Sequence, residues 1–344
     1  MAEAKSETRK PVLALAIGDP AGIGPELAAR VIADPDVRAA ADLIVVGDRR
    51  VLRRGAEVAG VKADLDVCHS VGELGNVQRS VLLDLGHLDP DSIKVGVASK
   101  EGGAFALKNF RTCIEVAAAG RAGAVCFTPF NKAAMRMAHP SYDDEISYGS
   151  EILGTKAPAS EFNILEKLWN GRVTSHVPLS GVAALITRES VLKGIRLMNA
   201  SLRDAGFEPP RIAVAGLNPH AGDGGNFGRE EIDTIEPAVE EAKREGITVE
   251  GPFPPDTVFV RATKGAFDGV LTMYHDQGQI AMKLIGFDRG VTLLGGFDFP
   301  MCTPAHGSAY DIAGKGTANI GASKAALLLA AKMAARRSRH AAAA

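Results

Sequence analysis

The chain has 344 residues, too many for one ordinary hydrophobic core, so two domains are expected. Apolar residues make up 46% and charged residues 23%, the composition of a soluble globular protein. Net charge is -2 and the basic run Arg336-Arg337-Ser338-Arg339 is short, which argues against a nucleic-acid partner.

The first ten residues are polar and lack the apolar core of a signal peptide. No apolar stretch reaches the ~20 residues needed to span a bilayer, so no membrane partner is expected. The cysteines, Cys68, Cys113, Cys126 and Cys302, are scattered without the spacing of a disulfide framework or a zinc site, which fits a reducing, cytoplasmic setting. Val12–Ile17 is a short apolar run and reads as a buried strand. It enters the glycine-rich turn Gly18–Pro25 and a helix with Pro25 in its first turn. The glycines do not have dinucleotide-fingerprint spacing; the turn is expected instead to bring backbone amides and Asp19 to a ligand. Further strands are expected at 41–47, 124–127, 211–217 and 269–274, with helices at 51–60, 102–120, 230–246 and 323–336 and a disordered tail after them. Alternation of this kind predicts an α/β fold with a largely parallel sheet covered on both faces.

Residues that carry chemistry follow the predicted strands. Lys132 comes just after the strand at 124–127, and the acids Asp143, Asp144 and Glu145 read as a solvated turn or helix start. His176 lies in an extended segment stopped by Pro178, His220 follows the strand at 211–217, and His275-Asp276 closes the strand at 269–274. Ligands of open α/β sheets sit beyond the carboxyl ends of strands. Three imidazoles with an open position make a workable catalytic metal site, although spacing alone leaves open three unrelated histidines. Lys283 offers a fixed positive charge for an anionic substrate. His69, His87, His139 and His340 read as surface residues. The stretch Ala305–Asn319 is dense in glycine and small residues around Asp311, as a loop lying against a flat nucleotide requires.

Taken together, Leu15–Glu26, Thr174–Leu179, Leu217–Gly225, Gly251–Thr257 and Met273–Gly278 resemble the 4-hydroxythreonine-4-phosphate dehydrogenase family, in that family's order and over nearly the whole chain. His306–Asn319 is similar to the NAD loop of isopropylmalate dehydrogenases. The resemblance implies two α/β/α domains with an interdomain cleft in an isopropylmalate-dehydrogenase-like fold, and a homodimer. The expected division is 11–137 with 285–340, carrying the NAD loop, and 138–284, carrying the metal ligands and dimer interface. It implies that His176, His220 and His275 hold a divalent ion (Zn, Mg, Mn or Co) shared across the dimer interface. It also implies that Lys283 contacts a small-molecule substrate, and that NAD lies along His306, Asp311, Gly314 and Asn319.

Departures fall in the substrate pocket. Where the family has a substrate-binding His-Thr pair this chain has Glu145 and Ile146, and where it has a substrate-contacting Asn and Arg this chain has Thr292 and Met301. Donors suited to phosphate are lost and a carboxylate is added. Two like unit charges about 4 Å apart cost roughly 4 kcal/mol at an effective dielectric near 20. The expectation is an NAD- and metal-dependent dehydrogenase of a hydroxy acid, decarboxylating where a carboxylate lies β to the new ketone, with a substrate changed from the phosphorylated one. Enzymes that oxidise a cis-dihydrodiol carboxylate on the way from terephthalate look similar around Leu13–Glu26 and Gly295-Gly296. The alternatives are the authentic family activity, in pyridoxal phosphate biosynthesis, or a catalytically silent metal- and nucleotide-binding homologue. Lys132 and Asp256 are the candidate general bases.

Overall fold

The computed structural model describes residues 10–156, 158–286 and 289–343. The chain divides into two compact units, Met1–Leu153 with Gly307–Ala344, and Gly154–His306. The boundaries expected from sequence, after 137 and after 284, lie earlier than these. The helix at Glu145–Leu153 packs on the long helix Lys100–Ala118 of the first unit. The strands at Val291–Gly295 and Met301–Pro304 belong to the sheet of the second.

The first unit opens with β1 (Val12–Ala16), whose last four residues are buried, and α1 (Gly24–Ala33) with Pro25 in its first turn. Gly18 between them is obligatory, because a Cβ there would overlap the backbone of Thr128 and Pro129. α2 (Pro35–Ala40) starts at Asp34, which accepts from the amides of Asp36 and Val37. β2 (Asp42–Gly47) leads to α3 (Arg49–Ala59), closed by Gly60 at φ 65°. There follow β3 (Asp66–Cys68), β4 (Val81–Asp84), α4 (Lys100–Ala118), β5 (Ala124–Phe127), α5 (Lys132–Ala138) and α6 (Glu145–Leu153). The strand order β3-β4-β2-β1-β5 is parallel throughout, as the apolar runs led one to expect. Asp144 takes the amide of Ser147 at 2.7 Å, so the acid cluster is a helix start.

Asp48, the N-cap of α3, is wholly buried and accepts from the amides of Arg50 (2.9 Å) and Leu88 (3.1 Å) and from the Arg50 guanidinium (2.8 Å). Burial pushes its pKa up, but Arg50 and the two amides outweigh that and hold it at about 2. A folded pKa below the unfolded value adds stability that is complete above pH ~4 and is lost as pH falls toward 2. Asp48→Ala should cost about 1–2 kcal/mol as a lost cap, with more for the Leu88 amide. The gap in thermal midpoint between variant and wild type should be full at pH 7 and should shrink between pH 4 and pH 2.

The second unit begins with the hairpin β6 (Ser160–Leu165) and β7 (Leu168–Arg172), turned at Glu166 with φ 50°. α7 (Val182–Leu185), α8 (Arg188–Asp204), β8 (Ile212–Ala215), α9 (Glu236–Arg244), β9 (Val249–Phe253), α10 (Pro255–Thr263), β10 (Gly269–Thr272), α11 (His275–Gly286), β11 (Val291–Gly295) and β12 (Met301–Pro304) complete it. Its strand order is β12-β11-β6-β7-β10-β8-β9. β7, β10, β8 and β9 run parallel, whereas β12-β11, β11-β6 and β6-β7 are antiparallel pairs. This sheet is therefore mixed rather than largely parallel. The links 166–167 and 296–300 are too short for the crossover a parallel pair needs. The helix expected at 230–246 opens with a wide turn over Glu231–Ile235 before α9. The chain then returns to the first unit in α12 (Gly321–Ala343). That helix continues past Arg336 where a disordered tail was expected, because the closing alanines carry the highest helix propensity.

Candidate functional site

β7 and β10 are parallel neighbours, with Arg172 opposite Thr272. His176 follows the end of the first and His275 the end of the second, so the two imidazoles meet with ring centroids 5.7 Å apart. β8 lies on the other side of β10, and His220 follows its end. All three histidines thus leave the same edge of one sheet, as the sequence led one to expect. His220 sits in the segment Pro219–Gly225 at φ 54°, with Ala221 and Asp223 also left-handed, a costly backbone for non-glycine residues. Its ring lies 6.1 Å from Phe227. Among the described residues no group of three His, Cys, Asp or Glu side chains could hold a metal ion. His176 and His275 are two imidazoles of a kind that suits a divalent ion.

Side chains not singled out in the sequence hold this edge. Buried Glu231 accepts from the amides of Leu217 and Asn218, both at 2.7 Å, and from the Asn218 carboxamide at 2.9 Å, fixing the start of the His220 loop. Gln277 accepts from Met273 N at 2.7 Å and donates to Gly216 O at 2.8 Å, tying the ends of β10 and β8. His275 Nδ1 meets Asp276 Oδ1 at 2.6 Å, which leaves Nε2 for another partner. Lys283 is exposed in the last turn of α11 and Asp256 is exposed in the first turn of α10. Thr292 is buried on β11, and Met301 on β12 is 0% exposed, a core side chain.

In the first unit Lys132 opens α5 and pairs with Glu145 at 3.4 Å; Ile146 beside it is half-buried. The nearby lysine offsets the Glu145 charge. Asp19 is buried, and its Oδ1 accepts from Ala21 N at 3.0 Å. Burial raises its pKa, opposed by Tyr310, the Ala21 amide and Ser308. The loop that follows residue 306 is anchored on α1. Ile23 N donates to Ser308 O at 3.0 Å, Arg30 to Gly316 O at 2.6 Å, and Ala318 N to Glu26 at 3.0 Å. Asp311 is exposed on that loop and Gly314 takes φ 75°. Asn319 Oδ1 accepts from Gly321 N at 2.8 Å at the start of α12, and His306 closes the second unit. His87 is half-buried and stacked on Phe105 at 4.8 Å, not the free surface residue it was read as. No described helix is long and apolar enough to cross a membrane.

The family model described as "Pyridoxal phosphate biosynthetic protein PdxA" matches residues 39–330. A Rhizobium meliloti relative, provisionally named 4-hydroxythreonine-4-phosphate dehydrogenase 2, is 60% identical over 331 residues, covering 96% of this chain and 95% of its own. The crystal structure of a 4-hydroxythreonine-4-phosphate dehydrogenase from Klebsiella pneumoniae matches with TM-score 0.82 at 32% identity, over 96% of this chain and 99% of that one. That of a terephthalate 1,2-cis-dihydrodiol dehydrogenase from Burkholderia xenovorans matches with TM-score 0.67 at 27% identity, over 94% and 98%. Fold and relatives define an oxidoreductase, a dehydrogenase acting on a CH–OH group. The α/β fold expected from sequence is thereby borne out. Within that class the chain belongs to the PdxA family.

Proposed function

We propose that this protein is an NAD- and divalent-metal-dependent dehydrogenase that oxidises the secondary alcohol of a hydroxy acid, losing carbon dioxide where a carboxylate lies β to the new ketone. Its substrate differs from 4-hydroxythreonine 4-phosphate. The carrying observation is that Met301 is 0% exposed in the core, opposite Leu294, and that the Thr292 hydroxyl on the neighbouring strand faces Asn163. Neither supplies the guanidinium fork that phosphate groups favour. The Burkholderia xenovorans enzyme, a terephthalate 1,2-cis-dihydrodiol dehydrogenase, supports a scaffold that works without phosphate.

In this reading His176, His220 and His275 hold the ion across a homodimer, which accounts for a single chain presenting two imidazoles together and the third apart. When bound, the ion polarises the alcohol oxygen and the nicotinamide accepts hydride. Lys283 holds the substrate's anionic group, and Lys132 or Asp256 takes the hydroxyl proton. The loop carrying Asp311, Gly314 and Asn319 would hold the NAD, its exposed Asp311 carboxylate supplying an acceptor for ribose hydroxyls, and His306 precedes that loop. Asp276 orients His275, so Asp276→Asn should weaken metal affinity about 10- to 100-fold, read by titration with Zn or Mn. The whole reading is tested by NADH formation from metal-loaded protein given 4-hydroxythreonine 4-phosphate beside non-phosphorylated hydroxy acids and dihydrodiol carboxylates. Turnover of an unphosphorylated alcohol and none of the phosphate ester supports it; efficient turnover of the ester overturns the substrate change.

A second reading keeps a phosphorylated hydroxy acid. The Lys132–Glu145 pair favours it, because the lysine offsets the carboxylate that would repel phosphate. The same panel separates the two.

A further inference from the structure

One face of the second unit's sheet carries a buried polar stripe. Thr292 on β11 is the register partner of Asn163 on β6, which pairs in turn with Asn170 on β7. Arg172 lies two residues farther along β7, on the same face. Directly opposed residues of neighbouring strands share a face and interact there. Stripes of this kind need every group satisfied, since an unpaired buried polar atom is costly. Most of this one is engaged. Arg172, 4% exposed, donates through Nε to Ser175 Oγ at 2.9 Å, through Nη1 to Asn163 Oδ1 at 2.7 Å, and through Nη2 to Glu161. Gln279 on α11 donates to the same Asn163 Oδ1 at 2.7 Å.

Two donors on Oδ1 settle which way the Asn163 carboxamide points: its NH2 group faces the other way. There it reaches Thr292 Oγ1 over 3.5 Å, longer than a well-formed N–H···O bond. Asn163 also lines a small cavity of about 30 Å³ together with Gln279, Met282, Lys283 and Ala305. A donor that is aimed by two neighbours, poorly spent on its own partner, and shares a cavity with an exposed lysine is arranged for a ligand oxygen. The charge balance indicates which kind. Arg172 is neutralised by Glu161, so Lys283 is the cation and Asn163 and Thr292 add neutral hydrogen-bonding groups. One cation with neutral donors suits a carboxylate better than a phosphate dianion.

We propose that Asn163 is a substrate-binding residue whose carboxamide nitrogen takes a carboxylate oxygen of the hydroxy acid, with Lys283 as its counter-charge, and that Arg172 and Gln279 are the positioning residues that aim it. This rests on the dehydrogenase reading above. Asn163→Asp is the informative variant: it keeps the oxygen that Arg172 and Gln279 bond and replaces the donor with a second acceptor that repels a carboxylate. Steady-state kinetics are measured with whichever substrate of the panel the wild type turns over fastest, alongside NAD kinetics and a thermal melt. KM for the acid should rise about 10- to 100-fold, the loss of a hydrogen bond to a charged group. The melting midpoint and the KM for NAD should stay at wild-type values. If wild type turns over none of the panel, the dehydrogenase reading falls and this assignment falls with it. If wild type is active and the variant's KM for the acid is unchanged, or NAD binding weakens in parallel, the assignment alone is overturned.

Discussion

His220→Ala is expected to abolish NADH formation and to leave the protein unable to retain a divalent ion through gel filtration. The three histidines follow strands that end at one side of the same sheet, and His176 and His275 are already paired at 5.7 Å. A bound ion contributes several kcal/mol of charge stabilisation to the reacting oxygen; losing about 4 kcal/mol slows a reaction roughly a thousandfold. His220 adopts φ 54°, in a loop whose left-handed run persists only because surrounding bonds hold it. Glu231 supplies those bonds through Leu217 and Asn218, not through the imidazole, so the loop should survive the substitution. His220→Asn is the companion variant, because asparagine tolerates the left-handed region. Both proteins should melt as wild type does and contain little metal by elemental analysis. His69→Ala, an exposed histidine, serves as control. A fully loaded, active His220→Asn protein would sink the metal assignment.

Much of the architecture could be read from local pattern. Val12–Ile17, Ala124–Phe127 and Arg211–Leu217 are short apolar runs bounded by turn residues, and β1, β5 and β8 lie on them. Gly60 closes α3 as a left-handed cap, which a glycine after a helical pattern implies. His220 and His275 could be found because each follows such a run, and His176 because it lies in an extended segment stopped by Pro178. What escaped is non-local. The antiparallel half of the second sheet depends on which strands pair, and the run at Ser160–Leu165 carries polar residues that conceal a buried strand. Asn163, Asn170 and Arg172 look like surface residues in sequence; they are buried because Arg172 bonds to Asn163 and half-buried Glu161 across β6 and β7, while Asn170 donates to Val270 O and Thr272 on β10. Glu231 and Gln277 act through backbone groups far along the chain, which no spacing rule connects. Asp19 is buried, and Tyr310 and Ser308, which oppose the rise that burial gives its pKa, come from a loop nearly three hundred residues away.

Gly103→Ala is expected to be the most damaging single methyl in the first unit. Alanine in place of glycine inside a helix ordinarily stabilises, by about 1 kcal/mol. Gly103 is buried in the first turns of α4, where α5 crosses, and a Cβ there would overlap the backbone carbonyl of Ala134. A backbone group cannot rotate away as a side chain can, so either α5 shifts bodily or the helices separate. Overpacking of a well-filled contact costs about 1–3 kcal/mol, and a rigid backbone clash sits at the upper end. For a unit of this size about 3 kcal/mol lowers the melting midpoint by roughly 6–12 °C. Gly72→Ala, whose Cβ would meet only Ser70 Oγ at 3.8 Å, should stay within about 0.5 kcal/mol of wild type. A functional cost should accompany the structural one. Lys132 opens α5 and meets Glu145 at 3.4 Å, so a displaced α5 separates the pair. Loss of kcat in Gly103→Ala at a temperature well below its midpoint, with metal content intact, would tie Lys132 to the chemistry. Unchanged kcat in a protein whose midpoint has fallen as predicted would remove Lys132 from it and leave Asp256 as the candidate base.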